Sequence, residues 1–162
     1  MTQEDKQLLL KDLAARLLYG VKVSLENEGE RLTGVLDAIF PNENRAIVAE
    51  LNKPIAAINV RCGGFDLEEN IVRPYLRPMS SMTEEEFEKL KEYSELKYEQ
   101  LDLASYQNGT YKCLDFYLSE VPSYVVILVF DWLNAHHFDY RGLIEKGLAI
   151  EVTEENNPYE RK

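Results

Sequence analysis

His136 and His137 stand side by side, the two histidines of the chain, and Asp139 follows two positions later. An imidazole beside a carboxylate is the pairing used for general acid–base work, and with a third donor it makes a metal site. Consecutive helical residues point about 100° apart, so these two rings are poorly placed to share one ion. A catalytic or metal role therefore needs His136 or His137 within reach of Asp131, Asp139 or Cys113. The competing reading is structural: a histidine in the last turn of a helix complements its dipole, and Asp139 caps whatever follows.

The remaining chemistry-bearing patterns are sparse. Cys62 and Cys113 are too distant in sequence for a chelating pair, and neither sits in a CxxC arrangement. There is no nucleophile elbow, no Walker or dinucleotide-binding glycine pattern and no HExxH. Gly63-Gly64 is too short to cradle a phosphate. Glu84-Glu85-Glu86 looks like a carboxylate cluster, but a helix N-terminus collects glutamates for dipole reasons alone. The residue types thus predict no catalytic, cofactor or metal residues. One stretch suits contact instead: Arg73 and Arg77 flank Tyr75 between Pro74 and Pro78, a stiff strip able to stack and pair.

These residues must be positioned by a chain of 162 residues, long enough for a core without disulfides or metal. Residues 3–18 carry a helical apolar pattern, opened by Thr2 with Asp5 three positions on and closed by Gly20. Alternation then predicts five short strands. The first holds Val21, Val23 and Leu25 and turns at Asn27-Glu28-Gly29; the second runs from Leu32 to Ala38. Strands over 45–51, 55–62 and 67–72 follow, with Gly63-Gly64 as a turn or bulge. The Pro74–Pro78 segment reads as a connector and as the boundary between a helix-plus-strands part, 1–78, and a helical part, 79–162, packed against it, the alternative being one single domain. Thr83 with Glu86 forms a second capping box, for a helix expected to reach about Tyr106, where Asn108-Gly109 breaks it. Residues 111–121 fit strand or irregular structure. Pro122 suits the start of a helix reaching His136, although Val125-Val126-Ile127 also suits a strand before a shorter helix. A short last helix is expected over 140–146, capped by Asp139 and closed by Gly147, with a polar, frayed tail from Thr153.

The formal net charge is −11, and residues 79–162 carry 17 acidic against 8 basic side chains. Such a field repels phosphate backbones, which disfavours nucleic acid as a partner. The longest apolar run, residues 124–130, is far short of a membrane span, and no basic-then-apolar leader opens the chain. A soluble, cytoplasmic protein with a protein partner is the resulting expectation.

Two resemblances add to this. Val21, Val23, Leu25, Gly29, Leu32, Gly34 and Leu36 resemble the first motif of Sm-like proteins, with Asn44 where that family has its base-contacting asparagine. Val60-Arg61-Cys62-Gly63 approximates its second motif, while Phe40 replaces an expected aspartate. The resemblance implies a small SH3/Sm-like barrel or a bent antiparallel sheet within an α+β fold, and in its functional version a groove lined by Asn44 and Arg61. Longer strings, Pro74-Tyr75-Leu76-Arg77-Pro78-Met79-Ser80-Ser81-Met82-Thr83-Glu84-Glu85 and Asp131-Trp132-Leu133-Asn134-Ala135-His136-His137-Phe138-Asp139-Tyr140-Arg141-Gly142-Leu143-Ile144-Glu145-Lys146-Gly147-Leu148-Ala149, are similar to those of an uncharacterised family of small proteins from gut anaerobic bacteria and their prophages and mobile elements. That similarity implies an accessory protein and no particular activity. Arg73, Tyr75, Arg77, Asn44, Arg61, His136, His137, Asp139 and Tyr140 are the candidate interaction residues. Sm-like nucleic-acid binding and a hydrolase or metal enzyme using His136 or His137 are the alternatives.

Overall fold

A computed structural model of the chain describes residues 1–53, 62–67, 69, 71–94, 101–106, 111–116 and 122–160, with 101–106 and 111–116 described by their backbone. Helix α1 (Gln3–Arg16) opens on the expected capping box: Thr2 Oγ1 accepts the Asp5 N–H, and the Asp5 carboxylate accepts the Thr2 N–H in return. A 3-10 turn, Leu17–Tyr19, follows, and Gly20 in the left-handed region ends the segment. Strands β1 (Lys22–Asn27) and β2 (Glu30–Phe40) form a hairpin joined by Glu28 and Gly29. Both linking residues have positive φ, the two-residue turn whose twist suits adjacent strands. With a bulge between Leu36 and Ala38, β2 pairs antiparallel with β3 (Arg45–Ala49), and β3 pairs with β4 (Gly63–Asp66).

Strand β5 (Arg73–Pro78) is where the sequence suggested a linker. Its first half pairs with β1, Pro74 opposite Val23, so the residues read as a connector are part of the sheet. Gly63-Gly64, expected as a turn or bulge, begins β4. Of the strand expected over 67–72, the described residues 67, 69 and 71 lie in turns, and the Asp66 carboxylate accepts the Glu69 N–H. The fold is α+β with a mostly antiparallel open sheet, β4-β3-β2-β1-β5. It is not a closed barrel, so of the two expected shapes the barrel does not form and the sheet stays open. The strand expected over 55–62 falls largely on residues outside the description, Arg61 among them.

The chain divides into two compact units, residues 1–76 with 141–162, and residues 77–140. The first unit therefore takes back the end of the chain, which a single boundary near 78 did not anticipate. Its core joins Leu9 and Leu13 of α1 to Val21, Val23, Leu25, Leu32, Leu36, Val48, Phe65 and Leu76, with Leu143 and Leu148 completing it.

In the second unit, Thr83 caps α2 (Glu84–Tyr93) with Glu86 in the reciprocal position. The expected continuation of this helix to residue 106 does not occur. Strands β6 (Leu101–Tyr106) and β7 (Tyr111–Phe116) form an antiparallel hairpin, Leu101 opposite Phe116. Leu101-Asp102-Leu103 alternates with period two, a strand signal that competes with the helical reading. The Asn108-Gly109 break lies outside the described residues. Helix α3 (Ser123–Ala135) forms as a helix, with Pro122 as its N-cap. Met82, Phe87 and Leu90 pack with Val125, Val129, Trp132, Leu133 and Phe138 as this unit's core. The pairing of apolar faces overrides the strand preference of Val125-Val126-Ile127.

The two-residue strand β8 (Phe138–Asp139) pairs parallel with Arg77 and Pro78 of β5. No helix follows it: residues 140–147 are turns, with Gly147 at φ +67 and the Leu148 N–H donating to the Leu143 carbonyl. Asp139 is consequently a strand residue and not a cap. Within the first unit, β9 (Ile150–Glu151) pairs parallel with Tyr75 and Leu76. The tail expected to fray is tied down, because the Tyr159 hydroxyl accepts the Lys22 N–H at 3.2 Å and donates to the Tyr75 carbonyl at 2.8 Å. Burial pushes this phenol's pKa well above its usual value, keeping it a donor at any working pH. Tyr159→Phe removes both bonds and leaves the Lys22 N–H to find water. We expect a loss of about 1–3 kcal/mol in urea-induced unfolding, with earlier hydrogen exchange at Lys22.

Candidate functional site

The residue string of α3, Ser-Tyr-Val-Val-Ile-Leu-Val-Phe-Asp-Trp-Leu-Asn-Ala, is apolar on nearly every side. A helix of that kind ordinarily has its whole circumference covered. Helical spacing sends Val125, Val129, Trp132 and Leu133 into the unit's core. Tyr124, Ile127 and Phe130 are left outward at 57%, 60% and 37% exposure. They recur every three residues and so form one slanting ridge.

The C-terminal end of α3 is held in a fixed shape. The His136 ring stacks on Trp132, centroids 3.8 Å apart, and its Nδ1 lies 2.9 Å from the Trp132 carbonyl. A carbonyl only accepts, so that nitrogen is the donor. His137 then takes the left-handed conformation, φ +59, that usually falls to glycine after a helix. This reversal aims Phe138 and Asp139 back along β5, and the His137 carbonyl accepts the Arg77 N–H at 2.8 Å. Tyr140 donates to Asn134 Oδ1 at 3.0 Å, and its ring lies 5.0 Å from that of Phe130. No family model, curated protein or solved structure matches the chain.

Arg77 braces this end from β5. Its two terminal nitrogens reach the two Glu86 oxygens at 2.7 and 3.0 Å, and the guanidinium sits 4.3 Å above the Phe138 ring centroid. Partial burial works against the Glu86 charge. The hydrogen bonds from Arg77 and from the Thr83 N–H, with the guanidinium's own charge, outweigh it and hold the carboxyl at about 2. A carboxylate whose pKa is depressed on folding stabilises fully above its unfolded value, near 4.5, and loses that contribution as pH falls toward about 2. We expect the thermal midpoint to fall across this window. In Glu86→Gln that part of the fall is absent, which differential scanning calorimetry between pH 5 and about 2 would resolve.

The structure thus gathers Arg77, His136, His137, Asp139 and Tyr140 within the second unit. It places Arg73, Tyr75 and Asn44 in the first. Tyr75 is 8% exposed, so its ring face is not offered to a partner, and its hydroxyl lies 3.5 Å from Thr33 Oγ1. Asn44, at φ +54, donates its amide to both Asp66 oxygens at 3.3 and 3.2 Å. That carboxylate stands where a nucleic-acid groove would want a cation. Among the described residues no three His, Cys, Asp or Glu side chains converge as metal ligands, and no helix is long and apolar enough to cross a membrane. Cys62 is exposed.

Sequence reasoning missed the outward ridge and the partner of Glu86. The ridge had a signal: α3 carries more apolar residues than one buried face accommodates. The Arg77–Glu86 pair had none, because the capping box already accounts for a glutamate at that position.

Proposed function

We propose that this chain is a non-enzymatic protein-binding accessory module, and that the outward ridge of α3 is its contact surface. The observation carrying this reading is the exposure of Tyr124, Ile127 and Phe130 as a contiguous row on an otherwise packed helix. Large apolar groups in a row mark interaction sites far more than scattered ones do. Aromatic side chains with a hydroxyl, such as Tyr124, are favoured in such contacts. The bracing of Trp132, His136, Phe138 and Arg77 supports the reading too, since a rigid helix end loses little entropy on docking.

Charge narrows the partner's chemistry. Residues 77–140 carry 12 acidic and 5 basic side chains, so the partner presents an apolar strip with a basic rim. Such a partner suits the setting implied by the resemblance to mobile-element and prophage proteins, inside a bacterial cell. Nucleic acid would meet repulsion from the same charges.

The test has two stages. Affinity capture from the native host with mass spectrometry identifies a stoichiometric protein, which is then purified and titrated against the chain. Ile127→Asp should weaken that binding at least tenfold, with the far-UV spectrum and unfolding midpoint unchanged. Unaltered affinity in Ile127→Asp, or RNA recovered in place of protein, would overturn the reading.

A further inference from the structure

The first unit contains a cleft of about 410 Å³, a size that holds a small organic molecule. Its floor is apolar and already part of the core: Leu9, Leu67, Val72 and Leu148 all line it and are all buried. Three charged side chains stand around that floor, Asp5, Arg73 and Lys146. They are not equivalent. Asp5 is committed to the α1 cap, its Oδ2 accepting both the Thr2 N–H and the Thr2 hydroxyl. The Thr2 hydrogen bonds hold the Asp5 carboxyl below its usual pKa, with a smaller contribution from the charge of Lys146.

Arg73 is different. Its side chain is half-buried and makes no hydrogen bond or ion pair among the described residues. A half-buried guanidinium without a carboxylate is an uncommon arrangement, because withdrawing it from water is repaid only by a partner. The lip of the cleft has a second anomaly. Ile71 sits at φ +47, a conformation that a β-branched residue adopts only under constraint, and its side chain is exposed at the opening. Strained backbone of this kind concentrates where a ligand is clamped.

We infer that this cleft binds a small organic monoanion with an apolar body, a carboxylate of the medium-chain or aryl type. The guanidinium fork of Arg73 takes the carboxylate through two parallel hydrogen bonds, a geometry that the compact ammonium of lysine does not reproduce. The apolar body lies on Leu9, Leu67, Val72 and Leu148, and Ile71 folds over it from the lip. Lys146 adds long-range attraction at the rim.

Octanoate, octanol and octylammonium separate the terms without any mutation. Titrated into the isotope-labelled full chain, octanoate should give saturable shifts at residues 5, 9, 71–73 and 146–148. Octanol should bind at least tenfold more weakly, and octylammonium more weakly still. Arg73→Gln should lose at least tenfold in octanoate affinity, and Arg73→Lys should recover only part of it. Lys146→Gln, a change at an exposed side chain that leaves the fold intact, should cost two- to threefold. Equal binding of octanol and octanoate, shifts confined to other residues, or full affinity in a folded Arg73→Gln would each overturn the assignment.

Discussion

Asp12→Ala will destabilise the first unit by about 3–5 kcal/mol, a large share of the stability of any domain this size. Asp12 and Arg16 lie one turn apart on α1 and face inward, both with fully buried side chains. The pairing is bidentate, Nε to Oδ2 at 2.8 Å and Nη2 to Oδ1 at 3.0 Å. Arg141, from the segment that returns to this unit, approaches the same carboxylate at 3.7 Å. One anion thus answers one buried cation and one at the edge. Deleting the carboxylate leaves the Arg16 guanidinium in an apolar core with its best acceptor gone, and that penalty exceeds anything the pair itself contributed.

The same reasoning separates breaking the pair from replacing it. Asp12→Leu with Arg16→Met fills similar volume without charge and should recover most of the lost stability, a result opposite to simple additivity. Urea unfolding of the two variants, read as shifts in midpoint at constant slope, measures both quantities. A loss below about 1 kcal/mol for Asp12→Ala would mean that water reaches the pair, and the burial described here would be wrong.

Asp12 also marks where sequence reading stopped. The boundaries of α1 were written in local chemistry: Thr2 and Asp5 cap one end and Gly20 closes the other, each satisfying backbone groups within a turn. Thr83 with Glu86 and the start at Pro122 were readable for the same reason. Nothing local distinguishes Asp12 and Arg16 from an exposed i, i+4 pair, the commoner case. Their burial is a product of tertiary packing, and one contact of Asp12, with Arg141, comes from the far end of the chain. Strand β5 failed in the same direction. Prolines at both ends suggested a linker, yet an extended backbone is what proline provides, and β1, β8 and β9 supply the partners. Candidate residues divided likewise. Tyr75 looked available and is core, because alternation reports which residues share a face and not which face is covered.

Gly34 joins a sequence resemblance to a physical cause, and Gly34→Ala should cost about 1–3 kcal/mol by overpacking. Just past β3 the chain folds back on β2: the Asn52 N–H donates to the Thr33 carbonyl at 2.8 Å, and the Thr33 N–H donates to Asn52 Oδ1 at 2.9 Å. The ladder draws Ala49 and Leu51 tightly over Gly34. A Cβ there would lie 2.6 Å from the Ala49 carbonyl oxygen, 2.6 Å from Val48 Cγ1 and 3.1 Å from Leu51 Cδ2. Alanine ordinarily improves a strand by roughly 0.5–1 kcal/mol over glycine, so a measured loss means the clash has exceeded that gain. The Val48 methyl can yield, but the Ala49 oxygen is backbone and cannot move without disturbing the β2–β3 pairing. Val48→Ala should therefore rescue Gly34→Ala only in part, with a coupling between the two that distant substitutions never show. Complete rescue would assign the cost to the side chain alone. A neutral Gly34→Ala would mean that the two segments do not approach this closely in solution.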